Sequence, residues 1–206
     1  MNLVLKYFHD LSNEQLSKFA QLADIYPRFN MKINLVSRKD IEFICLKHIL
    51  HSLSIAKFIN FSNGTRVLDL GTGGGFPGIP LSIMFPNVEF ILNDSKYKKI
   101  EALRVISKNL NLKNVSFDNG RVENLNEEFE FVVSRAVAKI SVINKWVGGK
   151  ISNVHNNVMP NGIIYLKGGD LKEEIKGIDK LEVVDISEFY SENFFVSKKI
   201  IYQKFC

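Results

Sequence analysis

The stretch Val67-Leu68-Asp69-Leu70-Gly71-Thr72-Gly73-Gly74-Gly75-Phe76-Pro77-Gly78 constrains this chain more than any other. A short, mostly apolar run, Arg66–Leu70, ends in a glycine cluster, and a proline follows. Glycine lets the backbone turn sharply and bring N–H groups against a ligand. Pro77 has the fixed φ that suits a first helical position. A helix start in that place favours a carboxylate or a phosphate. The segment therefore reads as strand, binding turn, helix.

The same rhythm continues to the C-terminus. Strands are expected at Val88–Leu92, Val115–Phe117, Phe129–Ser134 and Ile163–Lys167. Helices are expected at Ser95–Leu110, over part of Lys139–Val158, and at Asp170–Ile178. Gly148-Gly149 weakens the middle one. Two late strands, Leu181–Ile186 and Phe195–Lys204, are spaced for antiparallel pairing. Alternating strands and helices imply a three-layer, mostly parallel α/β sheet, with the late pair on one side of it.

Residues 1–61 differ in reading as helices packed on the same domain, leaving 62–206 for the sheet. Ser12 and Gln15 form a capping box, with Leu16, Phe19, Ala20 and Ala23 at helical spacing. Pro27 is expected to end or kink that helix. A second helix is expected after Asp40 as N-cap, with Ile41, Ile44, Cys45, Ile49 and Leu53 on one face. No apolar run reaches the roughly 18 residues of a membrane span. Met1–Phe8 carries no basic n-region or cleavage site, so no secretory signal is expected. Cys45 and Cys206 lack metal-ligand spacing and read as free thiols in a reducing cytoplasm.

Net charge is +5, but it is unevenly placed. Phe131 to Gly169 holds five basic residues and no acid, while Asp170 to Glu192 holds eight acids against three lysines. Such separated fields can steer a polyanion onto one face.

The glycine loop does not suit a dinucleotide. Gly73, Gly75 and Gly78 fit G-x-G-x-x-G, but that register starts two residues late and Phe76-Pro77 fills the place of a pyrophosphate. Asp69 stands where a carboxylate would help hold a cationic amino group. Asp94, 23 residues after Gly71, is placed to accept ribose hydroxyls. Its competing role is a helix cap. A ligand with an amino-acid end and an adenosine end, S-adenosylmethionine, fits these positions.

Residues 71–81, from Gly71 to Leu81, resemble the glycine motif of the RsmG (GidB) family. Asn93 to Lys99, Gly120 to Glu123, Ser134 to Val137 and Leu166 to Gly168 resemble its later strand ends. Phe29 to Leu35 and Lys47 to Leu53 resemble its two helical signatures. The resemblance implies a class I methyltransferase, a Rossmann-like, doubly wound, mostly parallel seven-stranded sheet with a late antiparallel strand behind an N-terminal helical extension. It implies methylation at guanine N7 in 16S ribosomal RNA, at position 527. It places cofactor contacts on Gly71, Phe76, Val122, Glu123 and Arg135, alongside Gly73, Asp69 and Asp94 from the residues themselves. This chain departs from the family at Phe29, Val36 and His51, where Trp, Thr and Asp are preferred.

The chemistry agrees with that implication. Methylation at cytosine C5 needs a nucleophilic cysteine, and neither cysteine lies near the loop in sequence. Guanine N7 is an unprotonated lone pair, so positioning and electrostatics matter more than a general base. Arg135 is assigned that role. Arg121, Arg135, Lys167 and Lys96 are the candidate RNA contacts. His48 and His51 make a poor metal signal and read as packing or hydrogen-bonding residues. Trp146 is either a base stacker or a core residue. A nicotinamide oxidoreductase and a non-catalytic RNA-binding module are the competing functions. No metal is expected. The partner is 16S RNA or the small subunit, and a monomer is expected.

Overall fold

The computed structural model describes residues 2–205; Met1 and Cys206, and with it the second expected thiol, lie outside them. Seven strands form one sheet: β1 (Arg66–Leu70), β2 (Glu89–Asn93), β3 (Val115–Asp118), β4 (Phe131–Arg135), β5 (Gly162–Gly168), β6 (Leu181–Asp185) and β7 (Lys198–Lys204). Their spatial order is β3-β2-β1-β4-β5-β7-β6. The first five are mutually parallel, and β7 runs antiparallel to both β5 and β6. The late pair thus enters the sheet with β7 innermost. Among the described residues seven α-helices accompany the strands: α1 (Asn2–Leu5), α2 (Asn13–Asn30), α3 (His51–Phe58), α4 (Gly78–Met84), α5 (Tyr97–Asn109), α6 (Ile140–Val147) and α7 (Lys172–Ile175).

Strand alternation produces two cores. Val67, Phe90, Leu92, Phe131 and Val133 face one cluster, filled from α2, α3, α4 and α5 by Leu22, Leu53, Leu81 and Leu103. Leu68, Leu70, Ile91 and Val132 face the other, filled from α6 by Ile140, Ile143 and Val147. The N-terminal helices bury Phe19, Leu22 and Tyr26 in the same cluster as the sheet. Each core comes from the period-2 alternation of side chains along a strand.

Two helical expectations need correction. The Ser12–Gln15 capping box forms, and Gln15 Nε2 also donates to the carbonyls of Ile83 and Met84, tying α2 to the end of α4. Pro27, however, does not end α2, which runs three residues beyond it. The missing N–H costs one helical bond, but the last turn is anchored elsewhere. Tyr26 Oη donates to the Gly74 carbonyl at 2.6 Å, and buried Asn30 Oδ1 accepts from the N–H groups of Leu35 and Val36. The second helix is not a regular α-helix from Asp40. A 3₁₀ turn at Ile41–Phe43 passes into a π-helix at Ile44–Leu50, then into α3. Asp40 makes no cap bond; it pairs with Lys47 at 2.6 Å instead. A 3.6-residue periodicity cannot reveal a π-helix, whose wider turn often marks a functional site.

Candidate functional site

Strand register gathers the site. Leu70 lies beside Asn93 on β2 and Ser134 on β4. Gly71, Asp94 and Arg135 therefore leave the sheet side by side at its carboxyl edge. Connections diverge between β1 and β4, the crevice where open α/β sheets bind ligands. A cavity of about 630 Å³ occupies this place.

Most of the expected residues meet there. Gly71, Gly73, Phe76, Asp94, Val122, Glu123 and Arg135 all line the cavity, as do Lys96 and Arg121. Trp146, half-buried on α6, packs on the second core and also lines the cavity. Gly71 has φ +62°, and a Cβ there would meet Val137 at 2.6 Å. Only glycine keeps this wall open without strain.

Asp94 bridges two turns. Its Oδ2 accepts from Gly73 N at 3.0 Å and its Oδ1 from Lys96 N at 2.8 Å. The α5 cap position belongs to Lys96, so Asp94 holds the turn before the helix and not the cap. Each carboxylate oxygen keeps a further lone pair for a hydroxyl donor.

Asp69 is placed differently from expectation. It alternates onto the face of Val67, is fully buried, and is not among the cavity-lining residues. Oδ2 accepts from Thr72 Oγ1 at 2.5 Å and from Gly78 N at 2.8 Å. A Cβ at Gly78 would stand 2.6 Å from that oxygen. The carboxylate thus clamps the glycine loop from beneath. Burial pushes its pKa up to about 6 against these bonds. The same geometry disposes of the dinucleotide register: Gly73 and Gly78 give their N–H groups to aspartates, and a Cβ at Gly74 would meet the Leu35 carbonyl at 2.5 Å.

Arg135 forms the far wall. Its Nη2 is 2.9 Å from His48 Nδ1, its Nη1 donates to the Lys47 carbonyl at 3.3 Å, and its guanidinium lies 5.1 Å from the Phe76 ring centre. Burial lowers its pKa to about 10, which leaves it charged at neutral pH. The π-helix supplies both of its polar partners. Lys167 does not join this cavity. It pairs with Glu174 at 2.7 Å and donates to the Ala138 carbonyl at 2.5 Å, beside a second cavity.

Sequence reasoning missed Tyr26, Asn30 and Leu35 as supports of the loop. For Asn30 and Leu35 the signal was membership of the first helical signature; Tyr26 lies before it and carried none. The departures at Phe29, Val36 and His51 are absorbed by packing: Phe29 and Val36 join the first core, and His51 sits edge-on to Phe194 and Phe195.

A sheet of this order with a glycine loop after β1 and a ligand crevice between β1 and β4 defines a class I methyltransferase fold. Solved structures of like shape include a precorrin-6y C5,15-methyltransferase from Geobacter metallireducens, 13% identical, covering 84% of this chain and 91% of that one, TM-score 0.57. A mutant of MtNAS in complex with S-adenosylmethionine is 16% identical, covering 93% and 72%, TM-score 0.56. The family model GidB, rRNA small subunit methyltransferase G, matches residues 14–201, and the chain belongs to that family. Proteins named ribosomal RNA small subunit methyltransferase G from Christiangramia forsetii and Bacteroides thetaiotaomicron are each 48% identical. The first alignment covers 98% of this chain and 96% of the relative, the second 99% and 100%.

Proposed function

We propose that this protein uses S-adenosylmethionine to methylate N7 of a guanine in 16S RNA of the small ribosomal subunit, at the position 527 that the family resemblance implies. The observation that carries the reading is the cavity between β1 and β4, walled by half-buried, charged Arg135 and holding no cysteine, histidine or tyrosine among its lining residues. The residues fit the cofactor: Gly71, at φ +62° and pressed against Val137, holds the turn that borders the cavity, Asp94 presents free lone pairs, and Val122 and Glu123 line the same cavity. When bound, S-adenosylmethionine supplies an electrophilic methyl group on a sulfonium. Transfer to guanine N7 would form the N7–methyl bond as the sulfonium–methyl bond breaks, with S-adenosylhomocysteine as the leaving group, and N7, which carries a lone pair and no hydrogen, would leave no proton for the protein to remove. The protein's work is alignment and electrostatics, from the Gly71 turn, Asp94 and Arg135. Arg121 and Lys96 stand at the cavity as RNA phosphate contacts. Lys167 lies outside this cavity, paired with Glu174 beside the second one. The reaction belongs where ribosomal subunits are made, the cytoplasm, and one chain carries the whole site.

The test is methylation of small-subunit RNA, naked and assembled, with a labelled methyl donor, followed by borohydride and aniline cleavage, which cuts RNA at N7-methylguanine. A cut at the implied guanine supports the reading. Label without a cut places the methyl group on another atom and sinks it. Asp94→Asn replaces one acceptor oxygen by a donor and is expected to weaken cofactor binding about 10–100-fold, measured by calorimetry. Unchanged affinity would remove the ribose assignment.

A further inference from the structure

The second cavity, about 560 Å³, shares Arg135 and Ala136 with the first and is walled by His48, His51 and Phe194. Two nitrogens here are unusual. Nε2 of His48 and Nε2 of His51 are both buried and bonded to nothing among the described residues. Unbonded buried polar atoms are costly, and they call for an explanation.

Their partners on the other ring nitrogens set the tautomers. Arginine has donors only, so His48 Nδ1, 2.9 Å from Arg135 Nη2, must accept. Burial and the nearby Arg135 charge push the His48 pKa down to about 3, so the ring is neutral and its proton sits on Nε2. His51 hydrogen-bonds the Lys47 carbonyl, and burial keeps it neutral as well. Since its Nε2 is the unbonded nitrogen, Nδ1 carries that bond and the proton. Nε2 of His51 is then a bare lone pair. One ring offers a donor and the other an acceptor, three residues apart on the wall of one cavity.

We propose that this pair reads the O6–N1 edge of the acceptor guanine, His48 Nε2–H donating to O6 and His51 Nε2 accepting from N1–H. The assignment rests on the guanine reading above and names the part of the site that selects the base. O6 and N7 lie on one edge of guanine. A base held by O6 at His48 presents N7 along the same edge, in a cavity whose boundary with the cofactor cavity is Arg135 and Ala136. Adenine presents the opposite pattern, a donor at N6 and an acceptor at N1, and meets a donor with a donor and an acceptor with an acceptor. Access requires Phe194, edge-on to His51 with ring centres 5.7 Å apart, to turn aside.

The test uses the full-length protein and small-subunit RNA in which the methylated guanine is replaced singly. Inosine keeps N7, O6 and N1–H and lacks only the 2-amino group. 2-Aminopurine keeps N7 and the 2-amino group and lacks O6 and N1–H. Expected kcat/KM is within about 3-fold of guanine for inosine and at least about 100-fold lower for 2-aminopurine, since sites built to hydrogen-bond reject analogues lacking the bond. His48→Asn keeps an acceptor for Arg135 on Oδ1 and removes the Nε2–H. It is expected to lower kcat/KM on guanine about 10–100-fold and to leave 2-aminopurine nearly unchanged, so the preference shrinks. Its cofactor affinity, read by calorimetry, is expected to stay within about 2-fold, because Nε2 lies outside the cofactor cavity. Equal losses on both bases would show that His48 merely holds Arg135, and the proposal fails. It also fails if 2-aminopurine is methylated as well as guanine. No methylation of unmodified RNA by the wild-type protein would bring down the parent reading, and this one with it.

Discussion

Arg135→Ala is expected to lower methyl transfer roughly 100–1,000-fold, the range seen when a preorganised electrostatic donor is removed from an active site. The guanidinium is held on three sides, by His48 Nδ1, the Lys47 carbonyl and the Phe76 ring. Among the described residues it forms no ion pair with a carboxylate. Its charge is therefore available to the two cavities it separates. Cofactor affinity is expected to change by less than about tenfold, because Gly71 and Asp94 remain. Arg135→Lys is not expected to restore activity, since an ammonium cannot hold two acceptors in the planar fork a guanidinium provides. Single-turnover methylation and calorimetry separate the two effects. Normal turnover in Arg135→Ala would remove the role assigned to this residue.

Stability is expected to fall as pH drops below about 6.5, with His48 and His51 as the cause. Both rings are buried and neutral in the folded protein, so below 6.5 the unfolded chain binds protons that the folded one does not. Each such group lowers stability by about 1.4 kcal/mol per pH unit. For His48, whose folded pKa is about 3, the loss reaches up to roughly 5 kcal/mol over the whole window. Asp69 acts in the opposite sense. Its carboxyl titrates near 6 when folded and near 3.8 when unfolded, so it favours the folded state as pH falls between those values. Two histidines against one carboxyl leave a net loss of about one proton's worth, roughly 1.4 kcal/mol per unit, between pH 6 and 4. The double variant His48→Gln, His51→Gln is expected to start less stable but to reverse the slope from pH 6 down to about 4.5, where Asp69 acts before Glu14 and Glu192, both held low by lysines, begin to oppose it. Asp40, held low by Lys47, contributes only at lower pH. Denaturant unfolding across pH 4–7 reads the slope directly. A double variant that still loses stability from pH 6 to 5 would clear the histidines.

The strand ends show what could be read locally. Arg66–Leu70 was legible to the residue, because an apolar run stopped by glycines is fixed by its own neighbours. Val122 and Arg135 came to the expected edge for the same reason, the first following β3 and the second ending β4. The π-helix at Ile44–Leu50 was illegible: its apolar positions match an ordinary helix closely enough over two turns. Of the end or kink expected at Pro27, the end did not occur: the local rule weighs one missing hydrogen bond, whereas Tyr26 and Asn30 hold the last turn through Gly74, Leu35 and Val36. Lys167 was read as free to meet RNA because its partner, Glu174, lies across the β5–α7 turn.

Sequence by itself determined the alternation of strands and helices, the binding turn at Gly71, and the list of residues gathered at the sheet's carboxyl edge. These follow from backbone preferences and side-chain periods that act over a few residues. Tertiary structure alone decided where the charged side chains went. Asp69 turned under the loop to Gly78, Arg135 turned toward the N-terminal helices, and two neutral histidines came to wall the neighbouring cavity. A buried polar group must find its partner wherever packing brings one, often across distant parts of the chain, and a short-range pattern carries no record of that choice.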